Sequence, residues 1–278
     1  MNTALDLNHK LQAAGDITLQ VNGAVTQNGY TDNALVSGAN VYINTNSNTI
    51  GTDTNSVKVS ASGQVNAEGS DIYLGSKGAD FNAGNITSSG ENIKITTEDS
   101  GQVNLKGLVT GKNLTVNSAD GIYQSGTDKT IDVSNALVLN TTNNDIGRQD
   151  NAVIFKAGSV SASATNGSIV LKGIDTDIHT STIDAGKNID LSTELTDESL
   201  QSGNIFVENN LVTSDGYINL DSAKALHIDK NIEAGHSITL NANGGIEQVG
   251  SSQIKAGTSS DAQDGSVTIT NNGSGNIS

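Results

Sequence analysis

The sequence contains no cysteine, no proline and no tryptophan, and only one methionine and three phenylalanines among its 278 residues. The lack of cysteine excludes disulfides, zinc–thiolate sites and thiol nucleophiles. The lack of proline suits an architecture in which each strand donates hydrogen bonds to both neighbours, because proline has no N–H to donate. Aromatic residues make up 3% of the chain, which argues against the sugar-stacking cleft of a polysaccharide-degrading enzyme.

Basic residues are also scarce, since 14 Lys and Arg stand against 30 Asp and Glu and give a net charge of −16. An acidic surface repels phosphate backbones and anionic lipids, so we expect no nucleic-acid partner and no membrane insertion. No apolar run approaches the roughly 18 residues of a membrane span. The opening MNTALDLNHKLQAAG lacks the basic and apolar regions of a signal peptide.

One stretch recurs along the chain, as GDITLQVNGAVTQNG (15–29), GKNLTVNSADGIYQSG (111–126) and GHSITLNANGGIEQVG (235–250). Each copy has a glycine, a short alternating strand, a polar turn, a second apolar pair and a closing Gln-x-Gly. A recurrence of this kind is typical of repeat architectures. We therefore divide the chain into internal units 14–110, 111–234 and a partial unit 235–278. We interpret residues 1–278 as a single β-helix segment cut from a longer repetitive protein.

A finer period within the units predicts the strands. The apolar pairs Ile72/Leu74, Ile93/Ile95 and Leu114/Val116 follow one another in steps of 21 positions. Alternation of apolar and polar residues indicates a strand with one buried face, and the flanking Gly, Asn, Asp and Ser supply turns. Similar pairs step by 20 positions, from Ile169/Leu171 to Ile189/Leu191 and from Ile218/Leu220 to Ile238/Leu240.

Strands this short, repeated every 20 or so residues, predict an all-β fold, a parallel β-helix or solenoid in the form of an elongated rod of short stacked strands. We expect each inward residue to lie roughly 4.8 Å from its equivalent in the next coil. We also expect stacked Asn and Thr side chains to hydrogen-bond between coils at the turns.

The second unit has 124 residues and the first has 97, and the excess of 27 falls in two places. Six residues, LTDESL at 195–200, predict a protruding surface loop. Its members are the candidate site residues, namely Leu195, Thr196, Asp197, Glu198, Ser199 and Leu200. The remaining 21 or so residues, at 214–234, have the length of one coil, which a β-helix can gain without disturbing its neighbours.

No arrangement of residues predicts catalysis or metal binding. His227 and His236 flank Asp229, but no third ligand is in register, so we expect these histidines to be solvated. Glycoside hydrolysis needs clustered carboxylates, whereas the acids are scattered at turns, among them Asp71, Asp145, Asp190 and Glu208. We therefore predict no catalytic, cofactor-binding or metal residue, no cofactor, and no enzyme activity. Carboxylates that converge from successive coils would leave a polysaccharide-degrading enzyme as an alternative.

Three long runs carry a family resemblance, AGDITLQVNGAVTQNG, NTIGTDTNSVKVSASGQVNAEGSDIYL and NDIGRQDNAVIFKAGSVSASATNGSIVLKG. They are similar to the repeats of filamentous-haemagglutinin-like exoproteins, the large passengers of bacterial two-partner secretion, which include adhesins and some leukotoxins. The resemblance covers nearly the whole chain but is a repeat signature rather than a functional motif. It implies a right-handed β-helix, export through an outer-membrane transporter, and release from or display on a Gram-negative cell. The family's amino-terminal secretion domain has no evident match here, so the resemblance implies a repeat-region fragment.

The leading functional hypothesis is a structural and adhesive shaft segment of a large secreted or surface-displayed exoprotein. Such a segment would mediate or support attachment to host cells or to neighbouring bacteria. Its expected partners are the outer-membrane transporter and a host-cell glycan or protein receptor, and we expect the segment itself to be monomeric. The alternative is part of a secreted, leukotoxin-like cytotoxin with the same architecture.

Overall fold

The computed structural model describes residues 3–28, 35–128, 130–259 and 265–278, and these form strands, bends and turns but no helix. The chain divides into two compact units, Met1–Asn135 and Ala136–Ser278. Within each unit the strands pair in parallel and stack as the successive coils of a β-solenoid. The predicted all-β, parallel β-helix class is therefore confirmed.

The first compact unit, Met1–Asn135, is built from short strands that lie in two main sheets. The strands of its described residues are β1 (Leu5–Leu7), β2 (Leu11–Gln12), β3 (Ile17–Gln20), β4 (Val25–Gln27), β5 (Val36–Gly38), β6 (Val41–Asn44), β7 (Val57–Ala61), β8 (Val65–Gly69), β9 (Ile72–Lys77), β10 (Phe81–Ser88), β11 (Asn92–Glu98), β12 (Val103–Leu105), β13 (Val109–Gly111), β14 (Asn113–Ser118), β15 (Ile122–Gln124) and β16 (Ile131–Val133). Sheet I has the order β3-β6-β8-β10-β13-β16, with β12 and β15 joined to it at β10. Sheet II has the order β2-β5-β7-β9-β11-β14, and β1 pairs separately with β4.

The second unit repeats this plan. The strands of its described residues are β17 (Ala136–Thr141), β18 (Val153–Lys156), β19 (Ser159–Ala164), β20 (Ile169–Ile174), β21 (Ile178–Ala185), β22 (Ile189–Glu194), β23 (Ile205–Val207), β24 (Leu211–Thr213), β25 (Ile218–Ser222), β26 (Ala225–Ile228), β27 (Ile232–Ala234), β28 (Ile238–Ala242), β29 (Gly245–Gln248), β30 (Ile254–Ala256) and β31 (Val267–Asn271). Sheet III has the order β18-β20-β22-β25-β28-β31. Sheet IV has the order β17-β19-β21-β23-β26-β29, with β24, β27 and β30 continuing from β21.

The register places the predicted apolar pairs directly above one another. Ile93 pairs with Ile72 on one side and with Leu114 on the other, and all three side chains are fully or almost fully buried. In the second unit Ile189 pairs with Ile169, as its 20-residue step predicts. Burying one such side chain stabilises the fold by about 1.5–3 kcal/mol. The core of each unit is thus a column of stacked Ile, Leu and Val.

Asparagine and aspartate side chains link successive coils at the turns. The Asp16 Oδ1 atom accepts the backbone N–H of Asn40 at 3.0 Å, and Asn40 Oδ1 accepts the N–H of Gln64 at 3.0 Å. In the second unit Asn210 accepts in the same way from the N–H of Asn231, at 3.1 Å. Asparagine side chains at the turns thus hydrogen-bond between coils, as predicted, with backbone N–H groups of the next coil as the donors.

Two turns explain why a glycine follows Ile50 in the first repeat and Ile146 in the second. Gly51 and Gly147 have positive φ angles of 68° and 72°, which favour glycine. A Cβ atom would lie 2.5 Å from the Tyr73 carbonyl oxygen at Gly51, and 2.2 Å from the Val170 carbonyl oxygen at Gly147. The backbone of the next coil therefore passes too close for any side chain.

The segment at 214–234 lies inside the stack of the second unit. Strand β25 pairs with β22 and β28, strand β26 pairs with β23 and β29, and strand β27 pairs with β24 and β30. These residues therefore contribute a complete coil, as the length of the segment predicts.

Successive copies of the sequence repeat lie on different sheets. Strand β3 of the first copy is in sheet I, whereas its equivalent in the second copy, β14, is in sheet II. Four coil steps in sheet I run through Leu19, Ile43, Ala67, Ile86 and Val109. These steps span 90 positions, so Val116, which is 97 positions after Leu19, lies on the following strand. The repeat is thus not a whole number of coils.

Candidate functional site

A groove of about 590 Å³ lies on the outer face of sheet I, across strands β3, β6, β8 and β10. Its volume is within the range of about 300–1,000 Å³ that is usual for small-molecule sites. Tyr42 is the aromatic residue of its lining, and 41% of this residue is exposed. An aromatic ring this exposed on an outer sheet face makes the groove the first candidate for ligand binding.

Strand alternation brings the groove residues together in two outward columns. Thr18, Tyr42 and Asn66 occupy paired positions on β3, β6 and β8, so the tyrosine ring has a small side chain on either side. Two positions further along the same strands, Asn44 pairs with Glu68. The polar column therefore runs beside the tyrosine, on the same face of the sheet.

A β-bulge bounds the groove on strand β10. Its pairing with β8 shifts between Ala83 and Ile86, so the bulge contains Gly84 and Asn85. A Cβ atom at Gly84 would lie 2.5 Å from the Asn66 Oδ1 atom, and that oxygen accepts the Asn85 N–H at 2.9 Å. Bulges often redirect side chains next to functional sites. Here the bulge fixes the orientation of the Asn66 amide.

The electrostatic character of the groove is weakly acidic. The Asn44 Nδ2 atom donates to Glu68 Oε2 at 2.9 Å, which holds the carboxylate in the polar column. Among the described residues of the lining, only Tyr42 and Glu68 can ionise, and none carries a positive charge. The groove can therefore offer an aromatic surface, amide groups and one carboxylate to a ligand.

The second repeat retains the strands but not these side chains. Val138 and Ser161 pair with each other as Tyr42 and Asn66 do. Ser163 is paired with Asn140, in the relationship that joins Glu68 to Asn44. Sequence reasoning did not single out the groove residues, although a tyrosine where the next copy has an outward valine was the signal that could have found them.

The predicted loop at 195–200 forms a turn in the second unit, with residues 196–199 exposed and both of its leucines partly buried. The Thr196 N–H and hydroxyl donate to the two carboxylate oxygens of Asp175, at 2.8 and 2.6 Å. The Ser199 N–H donates to Asp197 Oδ1 at 2.9 Å. Hydrogen bonds from Ser199 lower the pKa of Asp197 below its usual value. The loop is thus held by Asp175 of the preceding coil and by its own Asp197, and a binding role for it stays a prediction.

A cleft of about 480 Å³ lies beside this loop, lined in part by Leu195, Glu198 and Lys224. The Lys224 Nζ atom donates to the Glu198 carbonyl oxygen at 3.0 Å. The ammonium group therefore ties the loop to the coil that follows it. The charged group of Lys224 therefore makes a structural contact at this cleft.

Three rings stack on the outer face of sheet IV, although sequence reasoning expected His227 to be solvated. Phe206 lies between His179 and His227, and the side chain of His227 is 29% exposed. His179 Nδ1 lies 3.1 Å from Glu208 Oε1, and His227 Nδ1 lies 3.2 Å from Glu247 Oε2. His227 is therefore a packed residue rather than a freely solvated one. His236 is more exposed and contacts Asp215, with Nε2 3.1 Å from Oδ1.

The other acidic residues act mainly within the scaffold. Asp71 Oδ1 accepts two backbone N–H groups of the next coil, and Asp145 Oδ1 accepts the Ser168 N–H at 2.7 Å. Asp190 lies within strand β22 rather than at a turn, and burial raises the pKa of its carboxyl. Within the described ranges, no group of three or more His, Asp and Glu side chains could hold a metal ion. The part of the chain that the structure describes also contains no helix long and apolar enough to cross a membrane.

Comparisons with protein-family models, with curated proteins and with solved structures found no match to this chain. The fold and the groove define a class instead, namely a parallel β-solenoid with a polar, tyrosine-containing groove on one outer sheet face. Function is therefore inferred from the chemistry of that face.

Proposed function

We propose that the chain is a structural and adhesive segment of a large exported bacterial exoprotein, and that it attaches to host cells or neighbouring bacteria through an outer sheet face. The observation that carries the proposal is the groove over Tyr42, which places an exposed ring beside amide and carboxylate groups. Stacked coils hold these groups in fixed positions before a ligand arrives. Little conformational entropy is then lost on binding.

The sequence supports the same proposal. The repeats are similar to those of filamentous-haemagglutinin-like exoproteins, which include adhesins. Export through an outer-membrane transporter suits a chain without cysteine, because no disulfide can hold it folded before translocation. Secretion or display on a Gram-negative cell, with the transporter as a partner, is part of this proposal.

Cell binding by the whole chain tests the proposal. Fluorescent beads coated with residues 1–278 are applied to epithelial monolayers and to bacterial lawns, beside beads coated with an unrelated protein of similar negative charge. We expect retention of the coated beads well above the control beads. Retention equal to the control on both surfaces, at saturating coating density, would refute an adhesive role. Release of cytosolic dye from leukocytes by the soluble chain would favour a cytotoxin instead.

A further inference from the structure

The Tyr42 groove has the apolar component of a sugar-binding site. One face of a pyranose ring carries C–H groups, and such a face packs against the electron-rich face of an aromatic ring. Tyr42 is 41% exposed because its paired neighbours on β3 and β8 are Thr18 and Asn66, which are too small to cover the ring. The phenol hydroxyl adds a group that can both donate and accept a hydrogen bond.

The polar groups beside the ring suit sugar hydroxyls. A hydroxyl both donates and accepts, an amide offers both functions, and a carboxylate accepts. Asn44 and Glu68 are joined by a hydrogen bond of 2.9 Å, and Asn66 is anchored by the backbone N–H of the bulge residue Asn85 at 2.9 Å. The amides and the carboxylate are therefore oriented in advance, which lowers the entropic cost of binding.

The charge of the site selects among glycans. The described lining contains no cation, Glu68 is acidic, and the whole chain has a net charge of −16. Sialylated, sulfated or phosphorylated sugars would meet a repulsive field, because like charges disfavour association. A neutral sugar experiences no such penalty.

We propose that the groove over Tyr42 binds neutral oligosaccharides, with the ring of Tyr42 stacking on a sugar and Asn44, Asn66 and Glu68 hydrogen-bonding its hydroxyls. The inference rests on the proposed adhesive function and names the ligand class of that surface. It assigns the site to the first repeat, since the second repeat has Val138, Ser161 and Ser163 in the equivalent places.

Titration of the full chain with defined sugars tests the ligand class. The neutral probes are lactose, N-acetyllactosamine, N,N′-diacetylchitobiose and mannobiose, and 3′-sialyllactose is the anionic counterpart of lactose. Binding is followed by saturation-transfer NMR and calorimetry. We expect at least one neutral probe to bind, and 3′-sialyllactose to bind at least about tenfold more weakly than lactose if lactose binds. Absence of binding by all four neutral probes, or preference for the sialylated sugar, would overturn the proposal.

Variants locate the site with the best neutral probe. Tyr42→Ala removes the ring and should weaken binding at least about tenfold, whereas Tyr42→Phe keeps the ring and should stay within about threefold. Asn44→Ala should weaken binding about tenfold, since it removes a hydrogen-bonding amide. Tyr217→Ala removes a half-buried tyrosine of the second unit. It is the matched control and should leave sugar binding unchanged. Circular dichroism melts confirm that each variant is folded.

The outcomes separate the two proposals. Retention of coated beads on cells together with unchanged sugar binding in Tyr42→Ala would overturn the site and leave adhesion standing. Sugar binding that is lost in Tyr42→Ala, without any bead retention on cells, would support the site and refute adhesion.

Discussion

The ring of Phe206 stacks on the ring of His227 with 4.6 Å between the ring centroids and 5° between the planes. Its other face stacks on His179 at 4.5 Å, so one phenylalanine joins three coils. Phe206→Ala should lower the free energy of unfolding by about 2–4 kcal/mol, since it removes both stacking contacts and the buried part of the ring. Phe206→Tyr keeps both contacts and should cost less than about 1 kcal/mol. Denaturant unfolding measures both, and equal losses would contradict a role for stacking.

Thr213 is 1% exposed, and its hydroxyl has no hydrogen-bond partner among the described residues. Thr213→Val replaces the buried hydroxyl with a methyl group of similar size. We expect it to raise the free energy of unfolding by about 1 kcal/mol, because an unpaired buried hydroxyl is destabilising. Thermal and urea unfolding check the sign, and a clear loss of stability would show that the hydroxyl is satisfied.

Thr193 is the matched comparison for Thr213, because its buried hydroxyl has hydrogen-bond partners. Its hydroxyl donates to the Gly203 carbonyl oxygen at 2.7 Å and accepts the Ala223 N–H at 2.8 Å. Thr193→Val should therefore lower the free energy of unfolding by about 1–3 kcal/mol, because two backbone groups lose a partner. The same unfolding measurements apply. If both valine variants moved stability in the same direction, hydrogen bonding would not be the cause.

Asp190 should make stability depend on pH. Burial, and to a lesser extent the charge of Asp221, raise the pKa of its carboxyl, while the hydrogen bond from Asn219 lowers it. A folded-state pKa above the unfolded value gives stability that is present at low pH and is lost as pH rises through the folded pKa. Asp190→Asn should thus stabilise the fold at pH 7, by less than about 1 kcal/mol because the group is partly exposed. The gain should vanish at acid pH, and a gain that is constant with pH would contradict this assignment.

Asp190 also influences Tyr217. Burial, and then the charge of Asp190, raise the pKa of the Tyr217 phenol above its usual value. Asp190→Asn should lower that pKa, which ultraviolet difference titration at alkaline pH can follow against the parent chain. Asp190→Glu keeps the charge and should leave most of the elevation in place.

Comparison of Gly51 with Gly78 separates two reasons why a position requires glycine, namely a positive φ angle and a lack of space for a side chain. Their φ angles are 68° and 65°, but a Cβ atom would lie 2.5 Å from the Tyr73 carbonyl oxygen only at Gly51, and would meet nothing within 4 Å at Gly78. Gly78→Ala should cost about 1 kcal/mol, for the backbone conformation alone. Gly51→Ala should cost substantially more, since the next coil must also move. Similar unfolding midpoints for the two variants would contradict this close approach.

The buried core could be predicted because the alternation and the repeat step that define it are visible in short stretches of sequence. Alternation fixes which side chains of NIKIT or NLTVN point inwards, and the 21-residue step then aligns Ile72, Ile93 and Leu114. The asparagine contacts at the turns follow from the same step. Neither prediction requires knowledge of the sheet to which a strand belongs.

The groove and the ring stack could not be predicted in this way. Tyr42 becomes significant only when the register of β3, β6, β8 and β10 is known, together with the bulge at Gly84. Phe206 lies 27 positions after His179 but 21 before His227, because the loop at 195–200 lengthens the first interval. No fixed period relates these rings, so only the paired strands show that they meet.

The displacement of the second copy by one strand determines which sheet a duplicated repeat would occupy. A newly duplicated copy would carry its outward residues to a different sheet, as β14 does relative to β3. Its outward residues would keep their pairing there, as Val138 and Ser161 keep the pairing of Tyr42 and Asn66. Gain or loss of a single coil, such as 214–234, leaves every other strand on its own sheet. Insertion of one coil therefore leaves an existing outer face in place, whereas a further copy presents the same outward pairs on another sheet.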